Sequence, residues 1–539
     1  MCARAVVSTL PWAPSDPKVS TVLSRSIAAS SPWASLVKGA LGLSSLWIIV
    51  IYAQLLAAAA AKSLWEAALL GAVTAIPIFQ LSFSLALYAL HRRTARPIAG
   101  QKHTVDVLVT CNDEEPTLIE ASARAARDMR GEHETWLLDD AANPNTERIA
   151  KELGVGYLTR DGHADAKAGN LNAALQRTSG EVVAVFDIDH QPEPDFLEAT
   201  TPYFDDEKIG FVQAAVSFRN KSASWTARAS AEFAYEYYNL VNVGKGTLGM
   251  ATMMGSNSLI RRSALESISG YRPGLAEDLE TSIAIHAAGW RSAYVDEPLA
   301  PGLAPEDFVS WHRQQSKWTQ GVLEAATRSF KGSFWRLNLK GQLCYLLRFS
   351  YYFTGPLTVF GLFSLVWMAV LGTPGAEALL LSLIPMLAIG AVGRAVAMRC
   401  FARDPEASKA SIWSAASLAI SSWPNYCRGW LAFLRRESRP FVATPKARMN
   451  GGFAKLVRLQ ALTAVAIACL LLFDVTFRWE AVTHTPVVHL ALLVLLASNI
   501  AVPLSIPSEV MGRLRATPFW RYLLIRGSRG SVATADDSR

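Results

Sequence analysis

The sequence predicts a polytopic α-helical membrane protein with an α/β domain inserted between its spans. Hydrophobic residues make up 51% of the 539 residues and charged residues only 18%, whereas a soluble protein typically carries about 25% charged residues. The apolar excess lies towards the two ends of the chain, and residues 100–330 have the composition of an ordinary globular domain. These observations exclude a disordered chain, a secreted disulfide scaffold and a purely soluble enzyme.

Several apolar segments are long enough to cross a bilayer, whose core requires about 20 mostly apolar residues. The predicted spans are 37–61, 64–90, 343–371, 377–397, 456–473 and 487–506. Residues 411–434 are less apolar and contain Pro424 and Arg428, so we expect a helix that lies in the interface or against a protein interior. Residues 1–35 hold no apolar run, and we expect no cleavable signal peptide.

Charge predicts the orientation of these spans. Basic residues are enriched on the cytoplasmic side of membrane helices, and the predicted outer loops hold only Lys62 and Arg478 as basic residues. We therefore expect a multi-pass protein of the inner or plasma membrane, with both termini and the α/β domain in the cytoplasm. The predicted segments are a terminus at 1–35, spans at 36–91, the α/β domain with interfacial helices at 100–340, spans at 341–400, an interfacial helix and loop at 401–453, spans at 454–507 and a tail at 508–539.

The net charge of +7 does not indicate a nucleic-acid partner, because the basic residues cluster beside the apolar segments. The six cysteines are scattered and show neither a CxxC pair nor a nearby histidine at metal-binding spacing. We therefore expect neither a disulfide framework nor a zinc site.

Strands and helices alternate within the inserted domain, which predicts an open α/β sheet. Residues 104–111, 136–138 and 181–187 are predicted strands, and 116–130 and 146–153 are predicted helices. Such sheets bind ligands at the carboxyl ends of their strands, where this sequence places polar clusters. One such cluster alone is explained by helix capping or a turn, but three at successive strand ends favour a ligand site.

The most informative cluster is Asp187-Ile188-Asp189. Two carboxylates separated by one residue at a strand end can share a hard divalent cation, and Mg²⁺ is often held by one or two carboxylates together with substrate phosphates. Lys167 adds a cation that can face a diphosphate, and Gly169 lets the backbone approach a nucleotide.

A series of motifs resembles the processive family-2 glycosyltransferases, which include the cellulose, chitin and hyaluronan synthases. The motifs are LLDDA (137–141), HADAKAGNLN (163–172), DIDH (187–190), GSNSLIRRSAL (255–265), AED (276–278), QQSKW (314–318) and FVATPK (441–446), the last similar to a gating loop. The resemblance covers about residues 40–505 and is greatest to the bacterial cellulose synthase catalytic subunits.

The resemblance implies a GT-A, Rossmann-like glycosyltransferase domain and assigns roles to its residues. Asp278 would be the catalytic base, and Asp187 and Asp189 would hold Mg²⁺ or Mn²⁺. The implied donor-binding residues are Asn112, Asp140, Lys167, Asp187, Thr444 and Lys446. The implied acceptor-binding residues are Gln314, Gln315, Lys317 and Trp318, with the indole of Trp318 stacking on a terminal sugar.

The implied activity is an inverting, processive transfer that builds a β-glucan from UDP-glucose and moves it across the membrane. The expected partners are the nucleotide sugar, the growing polysaccharide, membrane lipid and an accessory subunit on the outer side. Alternatives are a mannan or other-sugar synthase, a transferase that adds one sugar to a lipid acceptor, and an inactive nucleotide-binding scaffold or transporter. Aromatic residues that could line a sugar channel are Tyr351, Tyr352, Phe353, Phe360 and Trp367.

The sequence also departs from the family pattern. Ala276 replaces the threonine of the TED motif, Lys317 replaces an arginine and so loses its planar fork, and Gln315 gives the QQ form seen in mannan-type synthases. These departures leave the sugar and the linkage open. Because about 30 residues follow the last predicted span, too few for an independently folding domain, we expect no PilZ domain and no control by cyclic di-GMP.

Overall fold

A computed structural model describes residues 32–62, 64–92, 103–371, 374–404, 406–410, 412–437 and 453–500. Apolar helices precede and follow an α/β domain, as the sequence predicts. The first part of the chain forms α1 (Pro32–Lys62), α2 (Leu64–Ala89), β1 (Val105–Cys111), α3 (Pro116–Arg127), β2 (His133–Asp139), α4 (Pro144–Leu153), β3 (Gly156–Leu158), α5 (Ala166–Leu175), β4 (Val182–Asp187), α6 (Phe196–Thr200), β5 (Ile209–Phe218), α7 (Trp225–Glu236), α8 (Asn242–Thr247), β6 (Ser258–Arg261), α9 (Arg262–Glu266), α10 (Glu277–Ala287) and β7 (Arg291–Gly302).

The second part of the chain is helical. It forms α11 (Phe308–Phe330), α12 (Ser333–Arg336), α13 (Leu339–Tyr351), α14 (Thr354–Leu371), α15 (Pro374–Phe401), α16 (Ile412–Ser421), α17 (Trp423–Leu434), α18 (Phe453–Phe477), α19 (Trp479–His484) and α20 (Pro486–Ile500).

The α/β domain is built on a seven-stranded sheet in the order β3-β2-β1-β4-β6-β5-β7. The three predicted strands are confirmed as parallel neighbours, since β1 pairs with β2 and with β4. The sheet as a whole is mixed, because β6 runs antiparallel to both β4 and β5. The start of β6 therefore lies beside the end of β4, and the loop before β6 reaches the carboxyl edge of the parallel strands.

Both faces of the sheet are buried, which explains why its strands are apolar at successive positions rather than at alternate ones. On one face Val107 and Ala184 pack with Ile119 of α3 and Ile149 of α4. On the other face residues of β1 and β4 pack with α5 and α9. The covered faces leave the strand ends as the accessible part of the sheet.

Four helices of the described chain are long and apolar enough to cross a membrane: α1, α2, α15 and α18. A fifth span results if α13 and α14, which meet at 58°, are counted together. The predicted span over 343–371 corresponds to this bent pair, and Pro356 in the first turn of α14 explains the bend. A proline ring clashes with the carbonyl four residues earlier, so one straight helix cannot continue through it.

The sixth predicted span, 487–506, is represented by α20, whose described part is shorter than the other spans. Residues 501–506 lie outside the described residues. The count of six predicted spans is thus reduced to four or five among the residues that the structure describes.

The segment predicted as one interfacial helix at 411–434 forms two helices, α16 and α17. Both lie against protein: α16 packs on α7, and α17 packs on α11 and α14. The indole nitrogen of Trp311 donates to Ser422 Oγ over 3.0 Å, which fixes α11 at the junction of the two helices. This segment therefore connects the α/β domain to the apolar helices.

Gly429 sets the distance between α17 and α11. A Cβ atom at this position would lie 2.4 Å from Thr319 Cβ and 3.0 Å from the carbonyl oxygen of Ser316. Backbone and side chain of α11 thus fill the space that any larger residue would need.

We expect Gly429→Ala to lower the free energy of unfolding by about 1–3 kcal/mol, because an extra methyl group forces packed helices apart. The matched control is Gly361→Ala on α14, where a Cβ would meet nothing within 4 Å. Thermal unfolding of both variants in detergent measures the difference. Equal melting temperatures would contradict the packing described here.

Candidate active site

A cavity of about 1530 Å³ connects the carboxyl edge of the sheet with the apolar helices. Its wall includes strand-end residues of the α/β domain and residues of α2, α13 and α15. All the predicted site residues that the structure describes line it: Asn112, Asp140, Lys167, Asp187, Asp189, Asp278, Gln314, Gln315, Lys317 and Trp318. Thr444 and Lys446 lie outside the described residues.

Parallel pairing brings the predicted polar clusters together. Asn112 directly follows β1, Asp140 directly follows β2, and Asp187 is the last residue of β4. Because β1 lies between β2 and β4, these three residues share one edge of the sheet.

Asp139, by contrast, has a structural role. It is fully buried and accepts hydrogen bonds from the amides of Ala141 and Asn143 and from the hydroxyl of Tyr157, over 3.0, 2.7 and 3.0 Å. Of the Asp139-Asp140 pair only Asp140 faces the cavity, where its carboxylate binds Arg160 Nε at 2.7 Å.

Lys167 is the central cation of the site. Its Nζ donates to Asp187 Oδ1 and to the carbonyl oxygen of Gly255, each over 2.5 Å, and lies 3.8 Å from Glu277 Oε1. Burial acts to lower the pKa of Lys167, but Asp187 and Glu277 outweigh it and raise that pKa. Although burial acts to raise the pKa of Asp187, the ammonium group of Lys167 lowers it. Both members of the pair are therefore held in their charged forms.

Glu277 and Asp278 stand in the first turn of α10 and face the same lysine across Gly255. A Cβ at Gly255 would lie 3.7 Å from Asp278 Oδ2, 3.8 Å from Lys167 Nζ and 4.0 Å from Glu277 Oε1. Gly255 has φ +81°, a conformation that residues with a side chain rarely adopt. The loop before β6 thus lies close to the lysine and to both carboxylates.

Burial changes the acidity of both carboxylates. It raises the pKa of Asp278, and burial together with the neighbouring Asp278 raises the pKa of Glu277 to about 7. A general base is most effective when its pKa lies near the working pH. The sequence analysis assigned no role to Glu277, although its position next to Asp278 in the AED motif could have indicated that it belongs to the site.

Ala276 occupies the N-cap position of α10 and provides no side-chain hydrogen bond to the helix. The sequence comparison with the TED motif anticipated this loss. The threonine of that motif would supply a hydroxyl of the kind that commonly caps a helix.

Four residues of QQSKW lie on the cavity side of α11, namely Gln314, Gln315, Lys317 and Trp318, whereas Ser316 faces α17. This helix begins at Asp307, whose carboxylate accepts the amides of Val309 and Ser310 over 2.9 Å each. Gln315 is 1% exposed, and its Nε2 finds no hydrogen-bond partner among the described residues. A buried amide donor of this kind favours a polar ligand in the cavity, because an unsatisfied donor is costly.

Two of the predicted channel aromatics face the cavity, namely Tyr351 and Tyr352. The hydroxyl of Tyr351 is hydrogen-bonded to that of Tyr426 over 2.9 Å. Phe360 and Trp367 are 40% and 56% exposed on α14, as expected of lipid-facing residues, and Phe353 packs on Trp430 with ring centroids 4.7 Å apart. These three residues thus take the packing and lipid-facing positions that aromatic residues of membrane helices more often have.

The oxygen ligands suit a hard divalent cation. Within the described ranges no three His, Cys, Asp or Glu side chains converge on one point as metal ligands. Asp187 and Asp189 both line the cavity, and Asp189 is 3% exposed with its Oδ2 accepting the amide of Leu303 over 3.3 Å. Two carboxylates fit a cation whose remaining ligands are phosphate and water oxygens.

Residues 182–392 match the family model described as Glycosyl transferase family group 2. The chain is 31% identical over 302 residues to the cellulose synthase catalytic subunit [UDP-forming] of Xanthomonas axonopodis pv. citri (strain 306), covering 53% of this chain and 41% of that protein. It is 30% identical over 302 residues to cellulose synthase 1 of Komagataeibacter xylinus, covering 53% of this chain and 19% of that protein.

Among solved structures, the mannosyltransferase PcManGT from Pyrobaculum calidifontis in complex with GDP-Man and Mn²⁺ is similar over 69% of this chain and 99% of that chain, with 16% identity and a TM-score of 0.49. The matched segments span less than half the length of the two cellulose synthases. Part of the chain is thus similar to family-2 glycosyltransferases and to cellulose synthase subunits, and candidate membrane spans lie before and after this part.

The raised pKa of Glu277 predicts a pH-dependent stability. Its pKa in the fold, about 7, lies above its ordinary value of 4.5, so folding favours the protonated form and stability falls as pH rises through this interval. From about pH 5 to about pH 8 we expect the wild type to lose roughly 2 kcal/mol of unfolding free energy relative to Glu277→Gln.

Denaturant unfolding in detergent at several pH values measures this difference. Glu134→Gln, at an exposed carboxylate on β2, is the matched control and should follow the wild type. Parallel curves for the wild type and Glu277→Gln would show that Glu277 titrates normally.

Proposed function

We propose that the chain is an inverting, processive glycosyltransferase that polymerises a β-glycan, a β-glucan from UDP-glucose in the first instance, and passes it into the membrane. The observation that carries the proposal is the single cavity of about 1530 Å³, which contains both the strand-end carboxylates and residues of α2, α13 and α15. The relatives described as UDP-forming cellulose synthase subunits support UDP as the leaving group.

Asp187 and Asp189 would hold Mg²⁺ or Mn²⁺, which when bound neutralises the charge that develops on the departing diphosphate. Asn112 and Asp140, at the ends of β1 and β2, would contact the nucleotide. Lys167 keeps Asp187 ionised and so available as a metal ligand. Thr444 and Lys446 remain predicted donor contacts in the gating segment.

Asp278 would take the proton from the acceptor hydroxyl. The deprotonated oxygen then attacks the anomeric carbon from the face opposite the diphosphate, which converts an α-linked donor into a β-linked product. Trp318 would stack on the terminal sugar of the acceptor, and the amide of Gln315 would donate to one of its hydroxyl groups. Tyr351 and Tyr352 offer further ring faces along the route towards the membrane.

The direct test uses the full-length protein in nanodiscs with Mn²⁺ and, separately, radiolabelled UDP-glucose, GDP-mannose and UDP-N-acetylglucosamine. We expect a polymer from UDP-glucose that a β-glucanase digests. We expect Asp278→Asn to lower its rate at least about 100-fold, as removal of a general base does, while Asp161→Asn, at an exposed aspartate outside the cavity, keeps it.

Each other outcome is informative. A lipid that carries one sugar would replace processive synthesis with single addition, and a polymer from another donor would change the sugar. Full activity in Asp278→Asn would remove Asp278 from the reaction. An accessory subunit would be indicated if polymer formed only in membranes that contain partner proteins.

The metal proposal has its own measurement, which does not depend on turnover. We expect Mn²⁺ to tighten UDP binding to the wild type, and Asp189→Asn to weaken Mn²⁺-dependent binding at least about tenfold, because one of two carboxylate ligands is lost. Calorimetric titration of UDP with and without Mn²⁺ measures both. Asp161→Asn is again the control. Equal UDP affinity with and without Mn²⁺ would argue against a metal at these carboxylates.

A further inference from the structure

Two cations that the proposed mechanism does not use lie in the wall of the cavity. Lys245 on α8 is 1% exposed, and Arg348 lies on α13; both line the cavity. They contact the same ring: Lys245 Nζ is 5.8 Å and Arg348 Cζ is 5.0 Å from the ring centroid of Tyr237. Arg348 also lies 5.7 Å from the ring centroid of Tyr352, on the side of the site that leads to the apolar helices.

Neither cation has a carboxylate partner in the described part of the chain. Lys245 donates to Thr252 Oγ1 and, over 3.4 Å, to the hydroxyl of Tyr237. The Nε of Arg348 is buried and makes no hydrogen bond to any described residue. Arg394, in the same cavity, differs, because its Nε lies 2.7 Å from Glu236 Oε2.

Buried cations without a carboxylate in salt-bridge contact are unfavourable, since hydroxyl and ring contacts replace only part of the hydration that burial removes. Two of them against one ring create a positive potential. Although burial acts to raise the pKa of Tyr237, Lys245 and Arg348 together lower it, which reports that potential at the phenol. Tyr237 begins the π-helical turn Tyr237–Val241, an irregularity that occurs often at functional sites.

We propose that Lys245 and Arg348 form a subsite for an oxyanion carried by the acceptor, either a carboxylate or a phosphate group. This inference rests on the proposed function in so far as the cavity receives the acceptor. The guanidinium of Arg348 supplies planar paired donors that match an oxyanion, and Lys245 adds a second charge. A β-glucan made from glucose alone has no acid group, so a carboxylate would come from an acceptor that already contains an acidic sugar, and a phosphate from the head of a lipid-linked acceptor.

The test measures binding to the full-length protein in nanodiscs with two pairs of probes. Cellobiose is compared with cellobiouronic acid, and dodecyl glucoside with dodecyl phosphate. We expect the charged member of one pair to bind at least about tenfold more tightly than its neutral partner, as charge-assisted hydrogen bonds do. Preference within the sugar pair identifies an acidic glycan, and preference within the lipid pair identifies a lipid phosphate.

Variants assign the preference to these residues. We expect Arg348→Gln to abolish it and Arg348→Lys to retain part of it. Arg336→Gln, the same change at an exposed arginine on α12 outside the cavity, should leave it intact. If Arg348→Gln does not fold, Lys245→Met gives a second test of the same preference.

The proposal is overturned if charged and neutral probes bind equally, or if the preference survives in both Arg348→Gln and Lys245→Met. Binding of UDP with Mn²⁺ is measured on the same samples. A wild type that shows the anion preference but binds no UDP would refute the proposed function and leave the oxyanion subsite standing. Normal UDP binding without the preference would refute only the subsite.

Discussion

One buried ammonium group holds the functional edge of the sheet together. Lys167 Nζ contacts the end of β4 through Asp187, the loop before β6 through the carbonyl of Gly255, and the start of α10 through Glu277. Carboxylates gathered in a buried place repel one another and lose hydration, and a shared cation offsets both effects. A single ammonium group thus contacts all three segments, and these contacts hold the segments close to one another.

The α/β domain and the apolar helices share this site rather than merely adjoining. Helix α11 presents Gln315 and Trp318 to the cavity. The same helix contacts the junction of α16 and α17 through the hydrogen bond from Trp311 to Ser422, and contacts α17 through the close approach at Gly429. Tyr426 of α17 in turn bonds Tyr351 beside the cavity. A displacement of the apolar helices would therefore reach the cavity through α11 and through the Tyr351–Tyr426 contact.

Local sequence patterns predicted three of the seven strands, their acidic ends and the apolar helices, because burial and turns leave signals within a few residues. The bend within the predicted span at 343–371 was not foreseen, because apolar composition alone does not show where a helix is interrupted. The mixed sheet was not foreseen, because the direction of β6 depends on pairing with β4, about 75 residues earlier in the chain.

The cations Lys245 and Arg348 escaped notice for a similar reason. In the sequence alone, Lys245 lies in a glycine-rich stretch and looks like a solvated lysine. Arg348 lies beside an apolar run and looks like a residue that flanks a membrane span. Only the fold brings both against Tyr237. Glu277 stands in the AED motif, but its pKa depends on its burial and on the nearby Lys167 and Asp278. A local sequence pattern does not show that burial.

The absence of a capping side chain at Ala276 makes the first turn of α10 locally less stable than strand β4 on the other side of the site. A capping side chain contributes about 1 kcal/mol to a helix end, so the first turn of α10 opens about fivefold more often than a capped turn would. Amide protons of that turn should exchange with solvent sooner than those of β4, which is held between two strands. On the proposed assignment, Asp278 would accept the proton at the less stable helix end, whereas Asp187 lies on the more stable strand.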